Sequence, residues 1–116
     1  MKFLFVCTGN ISRSPAAEEV FRRITNGAQE TRSVGISPYC PRPICGDDLR
    51  WADVVAVMEE DHRAFIVARW ADAGRKLRVL GIEDRYHRHD PELIRLLEVK
   101  LTELLADVGA RDIGGK

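Results

Sequence analysis

The chain has 116 residues, and 18 Lys and Arg balance 18 Asp and Glu to a formal net charge of zero. That length suits one domain, residues 1–116, with a lean core, and the charge balance removes the basic footprint of a nucleic-acid binder. No apolar run reaches the roughly 18 residues of a membrane span, MKFLFVCTGN turns polar too soon for a secretory signal, and an odd count of three cysteines fits a reducing compartment, so a cytoplasmic protein without membrane or nucleic-acid partners is expected.

Lys2 to Val6 is apolar, aromatic and β-branched, which predicts a strand buried on both faces. From Ser14 the period changes to that of a helix, with Ala17, Val20, Phe21 and Ile24 on one stripe. Ser14 suits the N-cap and Pro15 the first helical position, and Asn26-Gly27 ends the helix. A second strand is expected over Thr31 to Gly35. The loop after it is marked by Pro38, Pro41, Pro43 and Gly46, and Asp47 to Trp51 fits a short helix. Asp53 to Met58 (DVVAVM) predicts a third strand. A helix from Glu59 to about Ala73 then offers Phe65, Ile66, Ala68 and Trp70 to the core. Leu77 to Leu80 predicts a fourth strand, followed by a polar loop, GIEDRYHRH. Asp90 then caps a long helix that opens with Pro91, buries Leu93, Leu97, Leu101, Leu104 and Val108, and stops at Gly109. The last residues, RDIGGK, read as a frayed end. Alternating strands and helices predict an α/β fold with a parallel sheet covered on both faces. Ligands in such folds sit beyond the carboxyl ends of the strands.

Cys7 lies at the end of the first strand, and VCTGNISRSP runs from it into the first helix. A loop between a strand end and a helix start turns backbone N–H groups inward and aims the positive helix end at the same spot, which makes an anion site. Thr8, Gly9, Asn10, Ile11 and Ser12 form this loop. Gly9 is expected to let the backbone turn without a Cβ clash, and Asn10 to tolerate the left-handed conformation. Arg13 adds a planar fork suited to two phosphate oxygens. The positive potential there is expected to favour the thiolate of Cys7, with Ser14 as its hydrogen-bond donor. A thiolate beneath a bound phosphoryl group is a nucleophile placed for in-line attack.

VCTGNISRSPAAE resembles the signature of the low-molecular-weight protein tyrosine phosphatases: a cysteine, five residues, then Arg-Ser-Pro. The likeness is greatest to a short bacterial branch that shares segments like WADVVAVME and DPELIRLL. It covers most of the chain, although only the first loop is highly specific. The resemblance implies a flavodoxin-like, three-layer fold with a four-stranded parallel sheet. It also implies a metal-free and cofactor-free mechanism through a phosphocysteine intermediate. By position it makes Cys7 the nucleophile, Arg13 the phosphate-binding guanidinium, Asn10 the loop-shaping amide and Ser14 the thiolate's partner. Many relatives carry a second cysteine where this chain has Ser12, so the protective disulfide such a thiol forms is not expected here. The implied substrates are phosphorylated proteins or small aryl phosphates, with inorganic phosphate as product.

Hydrolysis of an aryl phosphate needs an acid for the departing phenolate and later a base for water. The family supplies it from an Asp-Pro-Tyr run after the last strand. Asp84, followed at one remove by Tyr86, matches Asp-x-Tyr, with Arg85 in place of the proline and a less rigid loop expected. Asp90 keeps an Asp-Pro, but an aspartate before proline at a helix start is most simply an N-cap, so Asp84 is the expected acid. Tyr86, with Tyr39 opposite, is expected to wall a slot for an aromatic ring. Ile11 favours aryl phosphates, since phosphoarginine-specific relatives place threonine there. His87, His89 and Asp90 come from one short loop and do not make a closed metal site. Cys40 and Cys45 precede the third strand, whereas arsenate reductases that share the first loop place their relay cysteines after it. A thiol-based arsenate reductase and a non-catalytic phosphate-binding module are the alternatives. EEDHR reads as a helix start with acids near its positive end.

Overall fold

The computed structural model describes residues 1–109, and the RDIGGK end lies outside the described residues. Strand β1 (Lys2–Cys7) leads into helix α1 (Arg13–Ile24), then β2 (Glu30–Gly35), α2 (Gly46–Trp51), β3 (Val54–Val57) and α3 (Glu60–Arg69). A 3₁₀ turn, Ala71–Lys76, precedes β4 (Leu77–Val79), and α4 spans Pro91–Asp107. The four strands form one parallel sheet in the order β2-β1-β3-β4, the doubly wound arrangement of a flavodoxin-like fold. Among the described residues no helix is long and apolar enough to cross a membrane.

The alternation of β1 divides the core in two. Phe3, Phe5 and Cys7 face the α1 and α4 side, where they pack with Phe21, Leu93, Leu97 and Leu101. Leu4 and Val6 face the α2 and α3 side, with Val55, Val57, Leu49 and Ile66. The Phe21 ring lies 4.5 Å from Phe3 and 5.3 Å from Phe5, within the range of favourable aromatic pairs. Successive side chains on opposite faces give a central strand apolar at nearly every position, as its sequence predicts.

Two expected boundaries shift for physical reasons. Helix α1 starts one residue before Ser14, with Ser12 at the N-cap and no side-chain cap bond, so Ser14 is not the cap. The helix expected to run to Ala73 ends at Arg69, where Trp70 leaves the helical region and a 3₁₀ turn takes over. That break brings Ala73 into the core and leaves Ala68 exposed. The helix ends marked by Asn26-Gly27 and Gly109 agree with the sequence, with all three residues at positive φ. Asp90 caps α4 through its Oδ1, which accepts the Glu92 N–H at 2.9 Å.

β2 ends against the loop that leaves β1. Gly35 pairs with Cys7, and a Cβ on Gly35 would stand 2.7 Å from the Thr8 carbonyl oxygen, 2.8 Å from Cys40 Sγ and 3.0 Å from the Asn10 nitrogen. Two of these neighbours are backbone and cannot swing aside. Gly35→Ala is therefore expected to push the loop at Thr8–Asn10 away from the sheet and to cost about 1–3 kcal/mol of stability. Urea denaturation checks this, and an unchanged midpoint would show that the loop has slack.

Candidate active site

The carboxyl ends of β1 and β3 lie side by side where the winding reverses, since the chain runs from β1 outward to β2 and then crosses back past β1 to β3. A cleft of about 280 Å³ opens there, lined by Cys7, Thr8, Gly9, Ile11, Ser12, Arg13 and Asp84. Residues separated by more than 70 positions in sequence thus share one small space.

Cys7 Sγ sits at the cleft's buried end. The Asn10 N–H donates to it at 3.2 Å, and Ser14 Oγ lies 3.0 Å away. Asn10 itself is at φ 51°, the left-handed conformation expected of it, and its Nδ2 donates to Ser14 Oγ at 2.9 Å. Ser14 has a single hydrogen to give, either to Cys7 Sγ or to the Val34 carbonyl at 3.3 Å. With Asn10 donating to the hydroxyl, that hydrogen is the only one Ser14 contributes. A serine two residues from a helix start thus serves the sulfur and not the helix cap. Gly9 departs from its expected role. It is not at positive φ, and a Cβ there would only touch the Ile11 side chain at 3.7 Å, so the tight turn falls to Asn10.

Arg13 is 2 % exposed and is held from two other strand ends. Its Nη1 donates to the Ile82 carbonyl at 2.8 Å and meets Glu59 Oε1 at 3.0 Å. Asp84 Oδ2 approaches its Nη2 at 3.7 Å from the solvent side, with the Asp84 side chain 69 % exposed. Asp84 therefore joins Cys7 and Arg13 at one cleft, while Asp90 is occupied as the cap of α4. The two tyrosines lie elsewhere. Tyr86 is only 8 % exposed and packs in the core on the α1 and α4 side, and Tyr39 stands 94 % exposed; neither lines the cleft. The apolar residue at the mouth is Ile11, which is largely exposed.

Two residues of EEDHR belong to this site and were not found by sequence reasoning. Glu59 is the N-cap of α3 as well as the partner of Arg13. His62 is buried at 1 % exposure, with Nδ1 accepting the Glu59 backbone N–H at 3.0 Å and Nε2 3.0 Å from Thr8 Oγ1. The available signal was positional: both lie just past the carboxyl end of β3, the strand beside β1. Burial, and then the Arg13 guanidinium, hold the His62 imidazole below its ordinary value of 6.5. All three cysteines are free, and Cys45 is taken up in the N-terminal cap of α2, where its Sγ donates to Asp48 Oδ2 at 3.4 Å.

The family model described as Low molecular weight phosphotyrosine protein phosphatase matches residues 2–39, the stretch from β1 through the Cys7 loop and α1 to just beyond β2. No curated protein matches the sequence. Among solved structures, the tyrosine phosphatase Wzb from Escherichia coli K30 is similar at 24 % identity, over 92 % of this chain and 97 % of that one, with a TM-score of 0.76. SP-PTP, the low molecular weight protein tyrosine phosphatase from Streptococcus pyogenes, is similar at 21 % identity over 92 % of each chain, with a TM-score of 0.80. The YwlE arginine phosphatase from Geobacillus stearothermophilus is similar at 21 % identity, over 99 % of this chain and 97 % of that one, with a TM-score of 0.74. The sequence match covers the Cys7 loop, and the solved structures share the fold. The chain carries the low-molecular-weight phosphotyrosine protein phosphatase signature in residues 2–39, on the flavodoxin-like fold of those enzymes.

Proposed function

We propose that the chain is a single phosphatase domain that hydrolyses phosphotyrosine or similar aryl phosphate monoesters through a phosphocysteine intermediate. The observation that carries this reading is the convergence of the Cys7 sulfur, the Arg13 guanidinium and the Asp84 carboxyl group on one cleft. The phosphoryl oxygens would be held by the Arg13 fork and by loop N–H groups at the start of α1. Cys7 Sγ attacks phosphorus, the bond to the ester oxygen breaks, and that oxygen takes a proton from Asp84. Water then attacks the phosphocysteine with Asp84 accepting its proton, and inorganic phosphate leaves with the sulfur restored as a thiolate. In this scheme the Asn10 N–H and the Ser14 hydroxyl hydrogen are the donors that favour sulfur as the leaving group in the second step.

The preference for aryl over guanidino phosphates rests on Ile11 at the mouth of the cleft. Its side chain offers an apolar edge to a ring and no hydrogen bond to an arginine-like group. The expected aromatic slot does not draw on Tyr86, whose ring is buried in the core.

Cys7→Ser is expected to lower turnover of a chromogenic aryl phosphate by at least about a thousandfold while phosphate binding stays measurable; turnover near wild type would end the covalent scheme. Asp84→Ala should slow phosphotyrosine, a poor leaving group, by about a hundredfold or more, and an activated nitrophenyl ester far less. Asp90→Ala should leave turnover within about twofold and cost roughly 1 kcal/mol of stability through the lost cap. A reversed pattern would move the acid to Asp90. Initial rates across phosphotyrosine, phosphoserine and phosphoarginine substrates should rank the aryl ester first, and a phosphoarginine preference would overturn the reading of Ile11.

A further inference from the structure

The contact between His62 and Thr8 joins the start of α3 to the loop after β1. His62 is the third residue of α3, and its Nδ1 accepts the backbone N–H of the N-cap Glu59. A backbone N–H can only donate, so Nδ1 carries no hydrogen in this contact. The hydrogen of the neutral ring is therefore on Nε2, 3.0 Å from Thr8 Oγ1, and the histidine is the donor to the threonine. Among the described residues Thr8 Oγ1 has no other hydrogen-bond partner, so its own hydrogen has no protein acceptor. Thr8 lines the cleft beside Cys7.

We propose that His62 is a positioning residue for the phosphate loop: its Nε2–H fixes the Thr8 hydroxyl so that the hydroxyl hydrogen faces the cleft as a side-chain donor to a phosphoryl oxygen. This rests on the phosphatase reading above. It divides the start of α3 between two tasks, since Glu59 holds Arg13 and His62 holds Thr8, on the two sides of the same anion site.

The arrangement has a pH signature. Protonation would put a hydrogen on Nδ1 facing the Glu59 N–H, two donors opposed, and would add a second positive charge beside Arg13. The charged groups around the ring are Arg13 from α1, Asp84 from the loop after β4, and Glu59 and Asp61 from the start of α3. Burial and then Arg13 lower the imidazole's value below 6.5, against the opposing pull of the three carboxylates. Because the folded value is the lower one, the stabilisation by the neutral ring is complete above the unfolded value near 6.5 and is lost as pH falls through the folded value. The Thr8 donor should fail over that same acid range.

A double-mutant cycle on phosphotyrosine hydrolysis and on inorganic phosphate binding tests this. Thr8→Val should lower kcat/KM by roughly tenfold to a hundredfold at pH 7.5, the worth of one hydrogen bond to a charged group. In a His62→Asn background the same change should cost less than about twofold. Asn can still accept the Glu59 N–H through Oδ1 but is too short to reach Thr8, so α3 keeps its cap. His62→Gln, long enough to donate to Thr8, should restore part of the Thr8 effect and make it independent of pH. In the wild-type background the Thr8→Val penalty should shrink toward unity as pH falls below 6.5. Equal Thr8→Val penalties in the wild-type and His62→Asn backgrounds, or none in either, would overturn the proposal. Should His62→Asn fail to melt cooperatively, the pH course decides: the Thr8→Val penalty should shrink toward acid pH in the wild type and stay constant in His62→Gln, and the same course in both backgrounds would overturn the proposal. Phosphate binding with the predicted coupling but no turnover would sink the catalytic reading and leave the positioning role standing. No phosphate binding at all would overturn both.

Discussion

A fully charged guanidinium with almost no access to water has to be matched by acceptors, or the fold loses several kcal/mol at that point. Arg13 is that group, and its partners define the site. Glu59 stands at the end of β3, and the Ile82 carbonyl and Asp84 lie just past the end of β4, while Arg13 itself opens the helix that follows β1. One side chain therefore ties together the carboxyl ends of three parallel strands. The sheet topology brings those ends near one another, and the buried charge fixes how they face. A bound oxyanion would supply the guanidinium with a further acceptor on the cleft side, where Asp84 approaches from the solvent.

The sulfur side of the cleft is organised by hydrogen bonds within the loop itself. Asn10 takes the left-handed backbone conformation, so its N–H points back to Cys7 while its side chain reaches Ser14. Amide, hydroxyl and sulfur form one short chain inside the protein, away from competing water, where each bond gains from the low local dielectric. Gly35 completes the arrangement from the neighbouring strand by lacking the atom that would displace Thr8 and Asn10. The two halves rely on different physics. The Arg13 half needs compensating charge from distant segments, whereas the Cys7 half is built within eight consecutive residues and one glycine from β2.

That difference decides how much of the site was legible in the sequence. The Cys7 loop is local, so thiol, asparagine, arginine and serine could be read from their spacing. Asp90 could be assigned to a helix cap because capping is also local. The order of elements followed from period changes and turn residues, and only boundaries moved, at Ser14 and at Trp70. Glu59 and His62 were hidden for a physical reason. Acids at a helix start already have an explanation in the helix dipole, and nothing in EEDHR shows which of its members turns toward Arg13. Tyr86 erred in the other direction. Its Asp-x-Tyr spacing suggested an exposed wall, but the loop buries Ile82 and Tyr86 and leaves the three residues between them, Asp84 included, exposed.

That burial pattern bears on how, in the proposed reaction, an exposed aspartate would act at a buried sulfur. Asp84 lies midway between two residues sunk in the same core, Ile82 and Tyr86, so the segment carrying it is pinned at both ends and bridges only a few residues. Arg85, standing where relatives have proline, lies over the Tyr86 ring at 4.6 Å and pairs with Glu83 at 3.0 Å and with Glu92 of α4 at 3.6 Å. These are solvent-exposed contacts and add little individually. Rigidity in the loop therefore comes from the buried anchors rather than from the residue that replaces proline. In the proposed reaction, Asp84 held this way stands 3.7 Å from Arg13 with its carboxyl group open to solvent, as a group must if it is to give a proton to a leaving group and later take one from water. In the proposed reaction the nucleophile and anion cradle belong to the interior and the acid to the surface, and Tyr86 serves that division as the buried anchor of the Asp84 loop.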